Sequence, residues 1–247
     1  MTALSLSVVG AAIFLSSFIS GVFGIAGGMI LLGALLVFFD VPTAMVLFSL
    51  LAATGNIWRV VMWRRYIDWR IWFQYMIGAV LAFSVLRFIA FVPSKPLVYL
   101  LLGLMPWMVE VLPRRWHPNI QWRGIPVFTG LATTGIQLVA GNGGMFLDVF
   151  FQKSEIDRRT TVATKAVCHS VGNLLRIFYF GTIADVSDAL PLWFFGLAIL
   201  LAIAGTMFAP VVLNRMTDHS FRRWTRKLIF LVSSVYLVRA AWLYWRD

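Results

Sequence analysis

The sequence predicts an all-α polytopic membrane protein. It reads as two inverted-topology repeats of about five helical segments, each with a glycine-rich broken or re-entrant helix pair. Three observations predict this. Of 247 residues, 60% are hydrophobic and only 13% charged, against about 45–50% and 25% in soluble domains, and the mean hydropathy is +0.85. The apolar residues run in continuous stretches rather than in alternation, which favours spanning helices over a membrane β-barrel. Two glycine-containing motifs also occur twice, in the same order.

In chain order the apolar segments are 3–23, 27–39, 42–63, 70–91, 96–112, 124–140, 143–151, 160–180, 191–213 and 228–245. The first has no basic residue ahead of it, so no cleaved signal peptide is read. The second and seventh are too short to span: about 20 Å and about 13 Å at about 1.5 Å per residue, against a hydrocarbon core about 30 Å thick. Each follows a glycine-rich break, Gly24-Ile25-Ala26-Gly27-Gly28 in one case and Gly141-Asn142-Gly143-Gly144 in the other. Broken backbone at membrane depth is tolerated only where protein or a watery cavity covers it. The third and eighth segments are long and carry polar groups. Tryptophans near the segment ends (Trp63, Trp69, Trp116, Trp122, Trp242, Trp245) fit interfacial belts.

The net charge is +11, from 21 Lys and Arg against 10 Asp and Glu. If every segment reverses direction, one side collects Arg64, Arg65, Arg70, Arg114, Arg115, Arg123, Lys153, Arg158, Arg159, Arg215, Arg222, Arg223, Arg226 and Lys227. The other receives Arg87, Lys95 and Arg246, with the acidic loops at Asp40 and at Asp185 and Asp188. The basic side is then cytoplasmic and both termini are periplasmic. This rule accounts for the excess charge, so no nucleic-acid partner is expected. Cys168 is the single cysteine, and His117, His169 and His219 are scattered, so neither a disulfide nor a metal or other cofactor is expected.

Gly27-Gly28-Met29 reappears 116 residues later as Gly143-Gly144-Met145. Gly55-Asn56-Ile57-Trp58-Arg59 reappears 117 residues later as Gly172-Asn173-Leu174-Leu175-Arg176. The order between them is also the same: break, short segment, loop, long helix. The chain therefore divides into a first repeat over 1–112, a cytoplasmic linker over 113–123 and a second repeat over 124–247. An odd number of segments per unit inverts the second copy, an arrangement that secondary transporters use around a substrate near the bilayer midplane.

The runs Gly21-x-x-Gly24-Ile25-Ala26-Gly27-Gly28, Gly141-Asn142-Gly143-Gly144, Arg159-Thr160-Thr161-Val162-Ala163-Thr164-Lys165-Ala166 and Gly172-Asn173-Leu174-Leu175-Arg176-Ile177-Phe178-Tyr179-Phe180-Gly181, with Arg222-Arg223-Trp224 before the last segment, resemble the sulfite exporter (TauE/SafE) family of membrane transporters. The resemblance implies export of sulfite or short organosulfonates across the bacterial inner membrane. The chain departs from the family pattern near Gly33 and Asp148–Val149, where a proline is usual, and at Asn142, where a small residue is common.

The residues that suit an anion cluster by spacing. Lys165, Cys168, His169, Gly172, Asn173 and Arg176 fall on one helical face. Charge at the bilayer centre costs about 2.5–3.5 kcal/mol on insertion scales, so a watery anion path is one reading and snorkelling of Lys165 and Arg176 to the interfaces is the other. In the third segment Asn56 and Arg59 share a face with Ser49. A guanidinium suits oxyanions because its planar fork donates paired hydrogen bonds; Arg59 also reads as an interfacial anchor. Half helices opening at Gly27, Gly28, Gly143 and Gly144 present free N–H groups, or pack closely as small residues. Asn142 and Gln137 read as amide donors to a sulfonate or as packing contacts. Asp148 reads as a proton-coupling residue or as the ion-pair partner of Lys165 or Arg176.

The function these readings favour is a secondary transporter of small sulfur-containing anions, working by alternating access. A transporter or channel for another small anion, or a non-catalytic membrane subunit, is the alternative. An intramembrane enzyme using His169 or Cys168 is disfavoured, because Asp148 is the one carboxylate well inside an apolar segment and no second histidine lies in a span. The expected partners are a small anion and the lipid bilayer, with room for a homodimer.

Overall fold

The computed structural model describes residues 3–23, 25–113, 117–184, 191–213 and 215–246. Gly24, Arg114, Arg115, Trp116 and the acidic loop of Asp185 and Asp188 lie outside the described residues. The described residues form helices and turns, with no strand among them. The helices are α1 (Ala3–Phe23), α2 (Ile25–Phe38), α3 (Val41–Trp63), α4 (Trp69–Ile89), α5 (Lys95–Val111), α6 (Ile125–Ala140), α7 (Gly144–Phe151), α8 (Arg158–Gly181), α9 (Leu192–Leu213) and α10 (Asp218–Arg246), with a 3-10 turn at Arg64–Tyr66.

Local chemistry sets the boundaries. Asp40 caps α3, accepting from Thr43 N–H at 3.4 Å, and Pro42 occupies the first turn. Asp68 caps α4 through Ile71 N–H at 3.1 Å, and α4 ends at Ala90 in the left-handed region. Asp157 caps α8 through the N–H groups of Arg159 and Thr160, at 2.9 and 3.1 Å. The hydrogen bonds from Thr160, side chain first, and then from Arg159, hold the Asp157 carboxyl below the usual carboxylate range. The helix α10 starts ten residues before the apolar stretch at 228. Charge stops burial in lipid but not helix formation, since Arg and Lys are good helix formers.

Among the described residues, four helices are long and apolar enough to cross a membrane, over Leu6–Phe23, Val41–Tyr66, Trp69–Ile89 and His219–Arg246. The 24-residue α8 is about 36 Å long, enough to cross, but its polar stripe keeps it out of that set. The protein is therefore a multi-pass membrane protein.

Helices pair α1 with α9, α4 with α6, α3 with α8 and α5 with α10. Small residues make the tightest crossings. A side chain at Gly78 would strike the Val127 carbonyl, and one at Gly130 the Tyr75 carbonyl, so α4 and α6 touch backbone to backbone. Gly205 lies in the same way against the Phe14 carbonyl where α9 crosses α1. The paired helices α3 and α8 are antiparallel: Ser49 meets Arg176 at one end and Tyr66 meets Arg159 at the other. The short helix α2 rests on α1, α3 and α10. Tyr236 hydroxyl donates to the Met29 carbonyl at 2.5 Å and Tyr99 hydroxyl to the Gly33 carbonyl at 3.2 Å, which pins it in place. The eight-residue α7 sits between α5, α6 and α8.

Candidate functional site

The second break is a turn between α6 and α7. Gly141 ends α6 at φ +81°, in the left-handed region that glycine adopts without strain. Asn142 side-chain oxygen accepts at 3.1 Å from the N–H of Gly144, the first residue of α7. Gly143 lies against the Thr133 carbonyl, with no room for a Cβ.

Arg176 is fully buried at 0% exposure and grips this turn. Its Nε donates to Ser49 Oγ at 2.5 Å, its Nη1 to the Gly141 carbonyl and, at 3.4 Å, to that of Gln137, and its Nη2 to Asn173 Oδ1 at 3.1 Å. Gln137 Nε2 donates to the same Asn173 oxygen at 3.0 Å. The guanidinium carbon lies 4.8 Å from the Phe48 ring centroid. All these partners are neutral, and no carboxylate lies within 4 Å of Arg176 among the described residues. Of the two sequence-level readings of this residue, snorkelling to the interface is excluded by its burial. Gln137 is engaged in packing hydrogen bonds.

The first break meets the second. A Cβ on Gly28 would lie 3.6 Å from both Asn142 Nδ2 and the Phe48 ring. Gly141 faces Leu32 of α2 and Met45 of α3. Gly27 is different: it packs against Ser20 backbone, so its lack of a side chain serves the α1–α2 hairpin.

His169 lies beside this junction. A Cβ on Gly144 would stand 3.3 Å from its Cε1, and the ring has no hydrogen-bond partner among the described residues. Asp148, Lys165, Arg59 and Arg176 all lie within electrostatic reach of it. Asp148 pairs with Lys165, each about a quarter to a third exposed. Arg59 is exposed and donates from Nη1 to Asn56 Oδ1 at 3.2 Å. The same Asn-to-Arg bond thus occurs in both copies of the Gly-Asn-x-x-Arg motif, with opposite surroundings. Ser49 and Phe48 contact Arg176; counting 117 residues on, Ala166 and Lys165 are their counterparts. A counterpart pocket for Arg59 would lack the hydroxyl and hold a like charge.

The structure therefore brings Gly28, Asn142, Gly144, His169, Asn173 and Arg176 to one junction, with Lys165, Asp148, Asn56 and Arg59 toward its more exposed side. Among the described residues, the charges in reach of His169 are those of Lys165, Arg59, Arg176 and Asp148. Sequence reasoning passed over a buried polar column beside it. Tyr75 hydroxyl bonds Thr133 Oγ1 at 2.9 Å and Thr134 Oγ1 at 3.4 Å, and Thr129, Thr133 and Gln137 repeat at i, i+4 and i+8 on α6, all buried. That spacing was the available signal.

Among known proteins, the family model described as Sulfite exporter TauE/SafE matches residues 9–237. No curated protein and no solved structure matches the chain.

Proposed function

Because the chain belongs to the sulfite exporter TauE/SafE family of membrane transporters of sulfur anions, we propose that it moves sulfite or short organosulfonates by alternating access at the junction of its two helix breaks. The observation that carries this reading is the buried Arg176 guanidinium with neutral partners only, beside a site where cations outnumber carboxylates. An uncompensated positive field in low dielectric favours an anion and rejects neutral and cationic solutes. Arg176, with most of its N–H groups on protein acceptors, holds the junction in shape and supplies the field. Asn142, His169, Asn173 and the backbone at Gly28, Gly143 and Gly144 line the place for the oxyanion. Lys165 and Arg59 guide it in.

On the polar face of α8, Lys165 and His169 are partly exposed, while Asn173, Arg176, Tyr179 and Phe180 are buried. Tyr179 hydroxyl seals the buried end with hydrogen bonds to the Leu86 and Phe91 carbonyls, at 2.9 and 2.7 Å. With the basic loops cytoplasmic, this end is periplasmic, and the partly exposed end of the face, at Lys165 and His169, is turned toward the cytoplasm. Helix pairing supports the inverted-repeat reading of units 1–112 and 124–247. The α1–α9 pair matches α6–α4 when the halves are exchanged, and α3–α8 and α5–α10 map onto themselves. Asp148, about a third exposed, paired with Lys165 and within electrostatic reach of His169, is the residue to carry a coupling proton.

The test is ligand-induced stabilisation of the purified protein in detergent. Sulfite or methanesulfonate is expected to raise the melting temperature, and a neutral amino acid to leave it unchanged. Arg59→Ala and Lys165→Ala are expected to remove the shift while keeping the unliganded melting temperature. Equal shifts with every solute, or none with the sulfur anions, would overturn the reading.

A further inference from the structure

A cavity of about 280 Å³ lies between α1, α2, α3 and α9, and every side chain lining it is hydrocarbon. Val9, Ile13, Leu35 and Phe194 form its buried base, while Leu50, in the middle of α3, is 36% exposed at its edge. Its opening therefore lies at the depth of a spanning helix, since Leu50 falls within the span Val41–Tyr66. A chamber with this lining excludes water and charged solutes. Left empty, its walls forfeit dispersion contacts. The solvent at that depth is lipid hydrocarbon.

We propose that this cavity is a binding site for one acyl chain of a bilayer lipid. It is separate from the anion site but shares a wall with it. Leu47 and Leu51 line the cavity, while Phe48 and Ser49, on the same turns of α3, hold Arg176. The chain lies between the α1–α9 pair and the segment of α3 that backs the guanidinium. Occupation supports that segment from behind, and nothing in this depends on which anion is carried.

The experiment is photo-crosslinking of the full protein in vesicles whose phospholipid carries a diazirine on its acyl chain, followed by peptide mapping. Label is expected severalfold enriched on Val9, Leu47, Leu50 and Ala198 relative to Phe88, which is 93% exposed on α4. Ala198→Phe, which fills the cavity, is expected to lose the enrichment and keep the label at Phe88; Leu50→Trp closes the edge and serves the same purpose. The wild-type pattern decides by itself if the filled variants fail to insert. Label spread evenly over lipid-facing residues, or enrichment unchanged in filled variants that do insert, would overturn the proposal.

Discussion

Replacing Gly141 by alanine places a side chain on the one residue that ends α6 in the left-handed region and turns the chain into α7. Two costs follow. An L-residue at that φ costs roughly 1–2 kcal/mol. The new Cβ also meets Leu32 and the Met45 sulfur, the latter at 2.8 Å; because these are flexible side-chain ends, the repacking cost falls in the usual overpacking range of about 1–3 kcal/mol. Together the loss is about 2–5 kcal/mol. The internal comparison is Gly135, six residues earlier in α6, where a Cβ meets nothing within 4 Å. There alanine replaces glycine inside a helix and gains up to about 1 kcal/mol. The two variants differ by one methyl group each on the same helix and are predicted to shift stability in opposite directions. Thermal unfolding of the detergent-purified proteins, followed by tryptophan fluorescence, measures both. Gly141→Ala as stable as wild type, or Gly135→Ala as damaged as Gly141→Ala, would refute the account of the break.

Other predictions concern the scaffold and the cap. Gly130→Ala drives a methyl group into the Tyr75 carbonyl of α4; backbone cannot step aside as a side chain can, so a marked loss of folded, monodisperse protein on size exclusion is expected, and wild-type yield would contradict it. Arg176→Lys keeps the charge but cannot reach Ser49, Gly141 and Asn173 together, so it is expected to lose at least the roughly 1.5–3 kcal/mol of one charged hydrogen bond, read as a lower melting temperature. Asp157 has a folded pKa below its unfolded one. Its cap therefore stabilises α8 above the ordinary carboxylate pKa, and that contribution is lost as pH falls through the lowered value. Amide exchange over 158–161 is expected to be faster in Asp157→Ala than in wild type at neutral pH, with the difference closing in acid; equal rates at neutral pH would refute it.

The helices were legible because lipid and protein both demand apolar surface, and hydropathy reads that demand directly. The same signal misplaces the start of α10, since the turns carrying Arg223, Trp224, Arg226 and Lys227 are helical although they carry too much charge to read as an apolar segment. Gly141 was legible as a break because few residues other than glycine take a φ of +81° cheaply; Gly143, at φ −101°, needs glycine for the Thr133 carbonyl beside it. The face of α8 was legible from spacing alone. What that face does was not. Arg176 could be placed near an interface or in the interior, and only the packing of α3 and α6 against α8 decides for the interior. Its acceptors Ser49 and Gly141 are 127 and 35 residues away in sequence, and no local pattern encodes such a pairing. The approach of Gly28 to Asn142 is likewise tertiary. So is the role of Gly27, whose missing side chain serves the packing of α1.

The central claim is tested most directly by uptake into proteoliposomes holding the purified protein, with sulfite, methanesulfonate, sulfate and a neutral amino acid offered in parallel. Saturable uptake of the sulfite and sulfonate, absent for the neutral solute and abolished in Arg176→Ala, is the predicted result. Uptake no faster than in protein-free liposomes, or wild-type uptake by Arg176→Ala, would contradict it.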